Sequence, residues 1–257
     1  MRRRAFLAAA ASLASLASPL AAAGTELVVL SSGGFTPAFR ALAPAFAQAT
    51  GDTTRLVLGA SMGATPTAIP NRLQRGEPAD VLLMVAPALD ALMADGRAVP
   101  GSRVDLARSL IGVAVRAGAP KPDISTLDAL RRTLLAAKSI AYSDSASGVY
   151  LAGELFPRLG IAEQLRGTAR MVPGDPVGGV VARGDAELGL QQISELRPIA
   201  GIELIGPLPD EAQKATVYAA GIATASTNPA AARALIAFLA APAAADAVRR
   251  TGLETMR

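Results

Sequence analysis

The sequence predicts an α/β protein with two lobes, each a mostly parallel sheet flanked by helices, and a ligand cleft between the lobes. Three observations predict this fold class. Short apolar runs alternate with segments of helical period, which is typical of βαβ units. The alternation begins again near residue 110. Loops of glycine and small polar residues follow several apolar runs, where open parallel sheets bind their ligands.

The first half of the chain contains three predicted strand–helix pairs. The clearest helix has Phe39, Leu42, Ala43 and Phe46 at positions i, i+3, i+4 and i+7, the spacing of one helical face. In order, we expect strands at 27–30, 56–58 and 81–84, each followed by a helix, around 39–46, 69–73 and 89–96.

The second half repeats this alternation and ends in two helices, each with proline (Pro229 and Pro242) at its start. We expect strands at 110–115, 139–142, 169–172, 187–190, 202–205 and 216–224. We expect helices at 127–137, 148–159, after Pro176, 229–240 and 242–250. This order predicts a signal segment at 1–23, lobe I at 24–113, lobe II at 114–200, and a hinge return with the rest of lobe I at 201–257.

The first 23 residues have the layout of a secretory signal peptide. Three arginines at 2–4 precede an uncharged apolar stretch at 6–20, and Ala21-Ala22-Ala23 offers small side chains for cleavage after Ala23. Residues 3–7 also fit the R-R-x-F-L pattern of twin-arginine signals, so both export routes stay open. We therefore expect a periplasmic protein.

Composition excludes several kinds of site. The chain has no Cys and no His, which excludes disulfides, thiol nucleophiles, a Ser-His-Asp triad and histidine-ligated metals. We expect no metal and no cofactor. After residue 23, 22 basic residues face 21 acidic ones, and the chain has no Trp. This balance argues against nucleic acid as a partner.

Four loops carry the candidate site. Each combines glycine with small side chains and stands before a predicted helix, whose free N–H groups attract anions. The same residues are also ordinary helix caps and turns, so a single loop carries little weight. Together they predict a metal-free site for a small anion. The loops are Ser31 to Gly34, Gly59 to Gly63, Ser143 to Gly148 and Pro173 to Gly179.

These segments resemble the molybdate-binding-like type of extracellular solute-binding protein, which has the type 2 periplasmic-binding-protein fold. The resemblance covers nearly the whole chain after residue 23. It is carried by the strand and loop at 27–39, by Gly59-Ala60-Ser61, by Gly76-Glu77-Pro78-Ala79-Asp80, by Gly174-Asp175-Pro176-Val177 with 181–187, and by 234–239 with Pro242.

The resemblance implies a ligand site with two departures. Ser61 falls where the family holds an oxyanion, but the first-loop serine of the family falls at Gly34 and its tyrosine falls near Gln192. Two hydroxyl donors are replaced, so we expect an organic carboxylate rather than molybdate, since glutamine both donates and accepts hydrogen bonds. The predicted ligand-binding residues are Ser31, Ser32, Gly33, Gly34, Ser61, Met62, Ser145, Ser147, Tyr150, Val177 and Gln192.

Two functions stay open at this point. The first is a monomeric periplasmic binding protein that passes its anion to an ABC permease in the inner membrane. The alternative is an isomerase, because the same family includes proteins of the aconitate isomerase type, which move a double bond in a tricarboxylate. Without histidine, the predicted bases for such a proton shift are Asp144, Asp175, Tyr150 or a lysine.

Overall fold

A computed structural model describes residues 24–256, and the predicted signal peptide at 1–23 lies outside them. The strands are β1 (Glu26–Ser31), β2 (Thr53–Leu58), β3 (Val81–Val85), β4 (Val104–Ser109), β5 (Ile111–Arg116), β6 (Ile140–Ser143), β7 (Ala169–Val172), β8 (Leu188–Gln192), β9 (Ile202–Pro207), β10 (Thr216–Ile222) and β11 (Glu254–Thr255). The helices are α1 (Thr36–Thr50), α2 (Ile69–Gln74), α3 (Ala86–Ala94), α4 (Leu127–Ala136), α5 (Ala146–Tyr150), α6 (Phe156–Arg158), α7 (Val177–Arg183), α8 (Ile193–Leu196), α9 (Pro229–Ala240) and α10 (Ala245–Arg250).

The strands form two sheets, in the orders β11-β4-β10-β3-β1-β2 and β7-β6-β8-β5-β9. Both sheets are mixed rather than mostly parallel. In the first, β1 pairs in parallel with β2 and β3, whereas β10 runs antiparallel to β3 and β4. In the second, β6 is parallel to β7 and β8, whereas β5 is antiparallel to β8 and β9. β5 and β10 each follow a crossing between the sheets, and each runs antiparallel to both of its neighbours.

The chain passes from the first sheet to the second between Ser109 and Ile111, and returns between Pro207 and Thr216. Lobe I therefore contains residues 24–109 and 216–256, and lobe II contains residues 111–207. These limits differ from the predicted ones, because β5 begins before residue 114 and β9 stays in the second sheet by pairing with β5. The predicted strand at 110–115 is preceded by β4, which the sequence patterns do not predict.

Each lobe has its own apolar core. Phe35, Phe39 and Phe46 are fully buried on one face of the first sheet, and Leu82, Met84 and Leu89 are buried on the other. In lobe II the predicted helix at 148–159 is interrupted by a wide π-type turn at Leu151–Leu155. Among residues 24–256, only Pro229–Ala240 and Pro242–Arg250 taken together match the length and apolarity of a membrane span, and they bend by 58°.

The Gly76 to Asp80 turn ties lobe I together. Asp80 is buried, and its carboxylate accepts hydrogen bonds from the Val28 backbone N–H at 2.9 Å and the Ser226 hydroxyl at 2.6 Å. These bonds join the start of β3 to β1 and to the segment before α9. The turn thus holds β1 in place, and β1 delivers the first loop to the cleft.

Candidate functional site

A cavity of about 470 Å³ lies between the lobes, at the carboxyl ends of β1, β2, β6 and β8. Its walls come from both lobes, as the strand-end loops predict. The polar residues on its wall are Ser32, Thr36, Arg40, Ser61, Thr65, Thr67, Ser143, Asp144, Ser145, Asp175, Gln191, Glu195 and Tyr218.

The serines of lobe I take different roles. Ser32 is 5% exposed and lines the cavity, and its hydroxyl has no hydrogen-bond partner among residues 24–256. Ser61 also lines the cavity, and its hydroxyl accepts from the Val85 N–H at 3.0 Å. Ser31 is fully buried behind them, with its hydroxyl 2.9 Å from that of Thr36. Ser32 and Ser61 therefore line the cavity, and Ser31 supports the loop.

Gly33 and Gly34 make room for two side chains from elsewhere. A Cβ atom at Gly33 would lie 2.7 Å from the Glu195 carboxylate, and one at Gly34 would lie 2.0 Å from the Tyr218 hydroxyl oxygen. Neither glycine has a positive φ, so space rather than backbone conformation requires glycine here. Gly33 borders the cavity, whereas Gly34 is buried behind the tyrosine.

Glu195 lies on α8, four residues after Gln191 of β8. The Gln191 side-chain amide donates a hydrogen bond to its carboxylate at 2.5 Å, and both residues line the cavity. The pKa of Glu195 is raised to about 7: burial is the largest cause, the Gln191 hydrogen bond opposes the rise, and the nearby Asp144 carboxylate adds to it. Near neutral pH this carboxyl group can both accept and release a proton.

Tyr218 reaches the cavity from β10, where it stands opposite Val85 of β3. The residue is 3% exposed. Burial, together with the Glu195 carboxylate, raises the pKa of Tyr218 well above its ordinary value. Its hydroxyl therefore stays protonated at any physiological pH and can donate a hydrogen bond.

The Ser143 to Gly148 loop closes the lobe II side. The Ser143 hydroxyl lies 2.8 Å from that of Ser145 and 3.0 Å from that of Ser147. Asp144 and Ser145 line the main cavity, but Ser147 does not. The loop thus brings the Asp144 carboxylate and the hydroxyl-bearing Ser143 and Ser145 to the wall of the cleft, and the Ser143 hydroxyl holds those of Ser145 and Ser147.

Ser147, Met62 and Tyr150 line a second cavity, of about 280 Å³, near the crossings between the lobes. Val85 and Ala146 line both cavities. The Tyr150 hydroxyl donates to the Ala212 carbonyl at 2.9 Å, so it fastens the returning segment rather than facing the main cavity.

Of the remaining predicted residues, Val177 and Gln192 line neither cavity, and Asp175 is bound by an arginine. Val177 is fully buried in the core beneath α7 and lines neither cavity. Gln192 is 1% exposed, and its amide donates to the Thr216 hydroxyl at 2.8 Å, while its carbonyl oxygen has no partner in the described part of the chain. Asp175 stands on the wall of the cavity, but Arg183 binds its carboxylate at 2.6 Å.

The sequence patterns point to neither Glu195 nor Tyr218. One signal for Glu195 is present: Gln191 and Glu195 are four residues apart, where a strand gives way to a helix, which places both side chains on one side. For Tyr218 the pattern offers no signal, since a tyrosine in an apolar strand is typical of a core.

Comparison with known proteins agrees with this architecture. Residues 27–254 match the model of a family described as bacterial extracellular solute-binding protein. An aconitate isomerase from a Pseudomonas species is 54% identical over 230 residues, which cover 90% of this chain and 88% of that protein.

Solved structures of similar fold include two anion-binding proteins. The periplasmic molybdate-binding protein of Azotobacter vinelandii superposes with a TM-score of 0.71 at 24% identity, over 90% of this chain and all of that chain. The sulfate-binding protein of Mycobacterium tuberculosis superposes with a TM-score of 0.70 at 17% identity, over 90% of this chain and 87% of that one. At these identities the likeness establishes the fold alone, and this is the two-lobed α/β fold that the sequence predicts.

Proposed function

We propose that this chain, which belongs to the bacterial extracellular solute-binding protein family, isomerises a small polycarboxylate by a proton shift in the cleft between its lobes. The proposed substrate is aconitate, a propene with three carboxylates, and the proposed location is the periplasm. The 54% identity to an aconitate isomerase over most of both chains supports this substrate.

The observation that carries the proposal is Glu195. A base that moves a proton between carbon atoms works best when its pKa lies near the working pH, because it must accept the proton and then return it. Glu195 has a pKa raised to about 7, lines the interlobe cavity and is held in place by Gln191. A site that only binds an anion gains nothing from a carboxylate there.

The reaction needs no oxidant, reductant or second substrate. Glu195 removes a proton from the CH₂ carbon of trans-aconitate, which breaks a C–H bond and forms the carboxyl O–H bond. The electron pair spreads over the double bond and the adjoining carboxylate. The proton then returns to the other end of the three-carbon unit, and the double bond has moved. Hydroxyl donors such as Ser32 stabilise the charge that develops on the carboxylate.

Glu195 takes the place of the predicted bases in this scheme. Asp144 lies near it and raises its pKa. The Asp175 carboxylate is occupied by Arg183, and the Tyr150 hydroxyl is bonded to the Ala212 carbonyl beside the other cavity. The mechanism therefore uses Asp144 only through its charge and leaves Asp175 and Tyr150 outside the chemistry.

The second candidate is a monomeric binding protein that delivers a carboxylate to an inner-membrane ABC permease. Family membership and the shared fold support it. So does the Ser32 hydroxyl, which has no hydrogen-bond partner within the described part of the chain and suits any anion. Under this candidate the ligand leaves the cleft unchanged.

Proton NMR of the purified protein with trans-aconitate in D₂O separates the two candidates. We expect cis-aconitate to form, with deuterium entering at the carbon that exchanges, and turnover to rise as pH passes through about 7 because Glu195 must be deprotonated. Glu195→Gln should lower turnover by about 10²-fold or more. Glu163→Gln, at an exposed ion pair, is the matched control. Calorimetric binding of trans-aconitate without turnover by the wild type would reject the isomerase and leave transport.

A further inference from the structure

We propose that the Tyr218 hydroxyl is a hydrogen-bond donor that contacts the substrate in the cleft. We also propose that position 34 is glycine because a side chain there would occupy the space of this hydroxyl. This inference deepens the proposed function, since it assigns a second catalytic residue to the same site. The hydroxyl would bind the carboxylate next to the carbon that loses its proton to Glu195.

The first argument is the position of Tyr218. It is almost fully buried, yet it lines the cavity, and we infer that its polar tip is the part that meets a ligand. The residue lies on β10, which runs between β3 and β4 in the middle of the first sheet. A central strand is a rigid support, and rigid donors stabilise developing charge without reorganising.

The second argument is the pair of consecutive glycines. Gly33 leaves space for the Glu195 carboxylate, and Gly34 leaves space for the Tyr218 hydroxyl. Consecutive Cα atoms are about 3.8 Å apart. The base and the hydroxyl therefore rest against neighbouring residues of one backbone, although they come from α8 and β10. The charge of Glu195 also contributes to the raised pKa of Tyr218, which agrees with their closeness.

The third argument is the balance of donors in the cleft. Glycine at position 34 and glutamine at position 192 have no hydroxyl to offer a ligand, and the Gln192 amide is already bonded to Thr216. Tyr218 supplies a hydroxyl beside position 34. The Ser32 hydroxyl has no partner among residues 24–256. With Tyr218 it makes two neutral donors near the Glu195 carboxylate, which suits an oxygen that gains negative charge during proton transfer.

Tyr218→Phe tests the donor, because it removes one oxygen and keeps the ring. We expect turnover of trans-aconitate to fall by about 10²-fold, the effect of losing one preorganised donor. Affinity for propane-1,2,3-tricarboxylate, which has no double bond to move, should fall by about tenfold in calorimetry. Tyr142→Phe is the control, since the Tyr142 ring packs on Phe156 in lobe II, away from both cavities.

Gly34→Ala tests whether glycine at position 34 makes room for the Tyr218 hydroxyl. The new methyl group collides with the tip of the Tyr218 ring, so we expect turnover to fall as in Tyr218→Phe and the melting temperature to drop. In a Tyr218→Leu background the ring tip is gone, and the same glycine change should lower the melting temperature much less. Equal drops in both backgrounds would show that Gly34 serves something other than Tyr218.

The outcomes separate this inference from the proposed function. If the wild type turns over trans-aconitate and the Tyr218→Phe variant does so at the same rate, the inference is overturned and the proposed isomerase function stands. Binding without turnover by the wild type rejects the isomerase, and weaker binding by Tyr218→Phe then still supports Tyr218 as a ligand donor. A wild type that neither binds nor converts the tricarboxylates overturns both.

Discussion

Glu195 is the base of the proposed reaction, and its environment opposes its charge. Burial and the Asp144 carboxylate together outweigh the hydrogen bond from Gln191 and raise its pKa from 4.5 to about 7. A folded protein that binds a proton more tightly than the unfolded chain loses stability as that proton leaves. The same carboxylate that would serve as base therefore destabilises the fold at neutral pH.

The stability of Glu195→Gln should show this effect. Below pH 4.5 the carboxyl group is protonated in both states, whereas between pH 4.5 and about 7 only the folded protein keeps the proton. The variant should therefore gain stability relative to wild type as pH rises through this window, and the gain should level off above it. Urea unfolding at pH 4.5, 6 and 8 measures the difference. A difference independent of pH would mean that Glu195 has an ordinary pKa.

Among the secondary-structure elements, β10 explains why the sequence patterns find part of the site and miss the rest. The loops after parallel strands are visible in the sequence, and Ser32, Ser61, Asp144 and Ser145 do line the cavity. β10 runs antiparallel to β3, so its first residues, not its last, lie at the ligand edge. A search restricted to the ends of strands therefore cannot reach Tyr218.

The same limit applies to elements whose partners are distant in sequence. The alternation of apolar runs predicts β1, β3 and β8 close to their observed bounds. It does not predict β4, whose Asp105 and Arg108 break the apolar run and whose partners, β10 and β11, lie over a hundred residues away. It also cannot show that β9 pairs with β5, which moves the limit of lobe II past residue 200.

Gln213 fastens the two segments that cross between the lobes. Its side chain accepts from the Ile111 N–H at 2.9 Å and donates to the Ile111 carbonyl at 3.0 Å. Gln213→Ala leaves both groups without these bonds, so we expect the free energy of unfolding to fall by about 1–3 kcal/mol. Urea unfolding measures this. Gln48→Ala, at an exposed site on α1, should stay within about 0.5 kcal/mol of wild type, and a similar result for Gln213→Ala would contradict the fastening role.

At the scale of the whole molecule, the site exists only because two lobes face each other. Lobe I supplies Ser32, Ser61 and Tyr218, and lobe II supplies Asp144 and Glu195. A ligand that contacts both lobes stabilises the arrangement of the two lobes relative to each other. Binding energy is therefore expected to appear as stability of the entire chain.

A thermal-shift comparison of ligands follows from this. Propane-1,2,3-tricarboxylate at a hundredfold excess over its Kd should add about 2.7 kcal/mol, which corresponds to a rise in Tm of about 5–10 °C. Molybdate at the same concentration should raise Tm much less, because positions 34 and 192 offer it no hydroxyl donor. A larger shift with molybdate would reverse the predicted ligand class.

Lobe II is one uninterrupted stretch of chain, whereas the sheet of lobe I is completed only by residues that follow it. β10 lies between β3 and β4, so both strands lack a neighbour until Thr216–Ile222 has been made. Domains generally fold as units. A folding intermediate in which lobe II is complete before Thr216–Ile222 has joined lobe I therefore carries two open strand edges, and open edges invite aggregation. Slow docking of this late strand is expected to lower the yield of refolding as protein concentration rises.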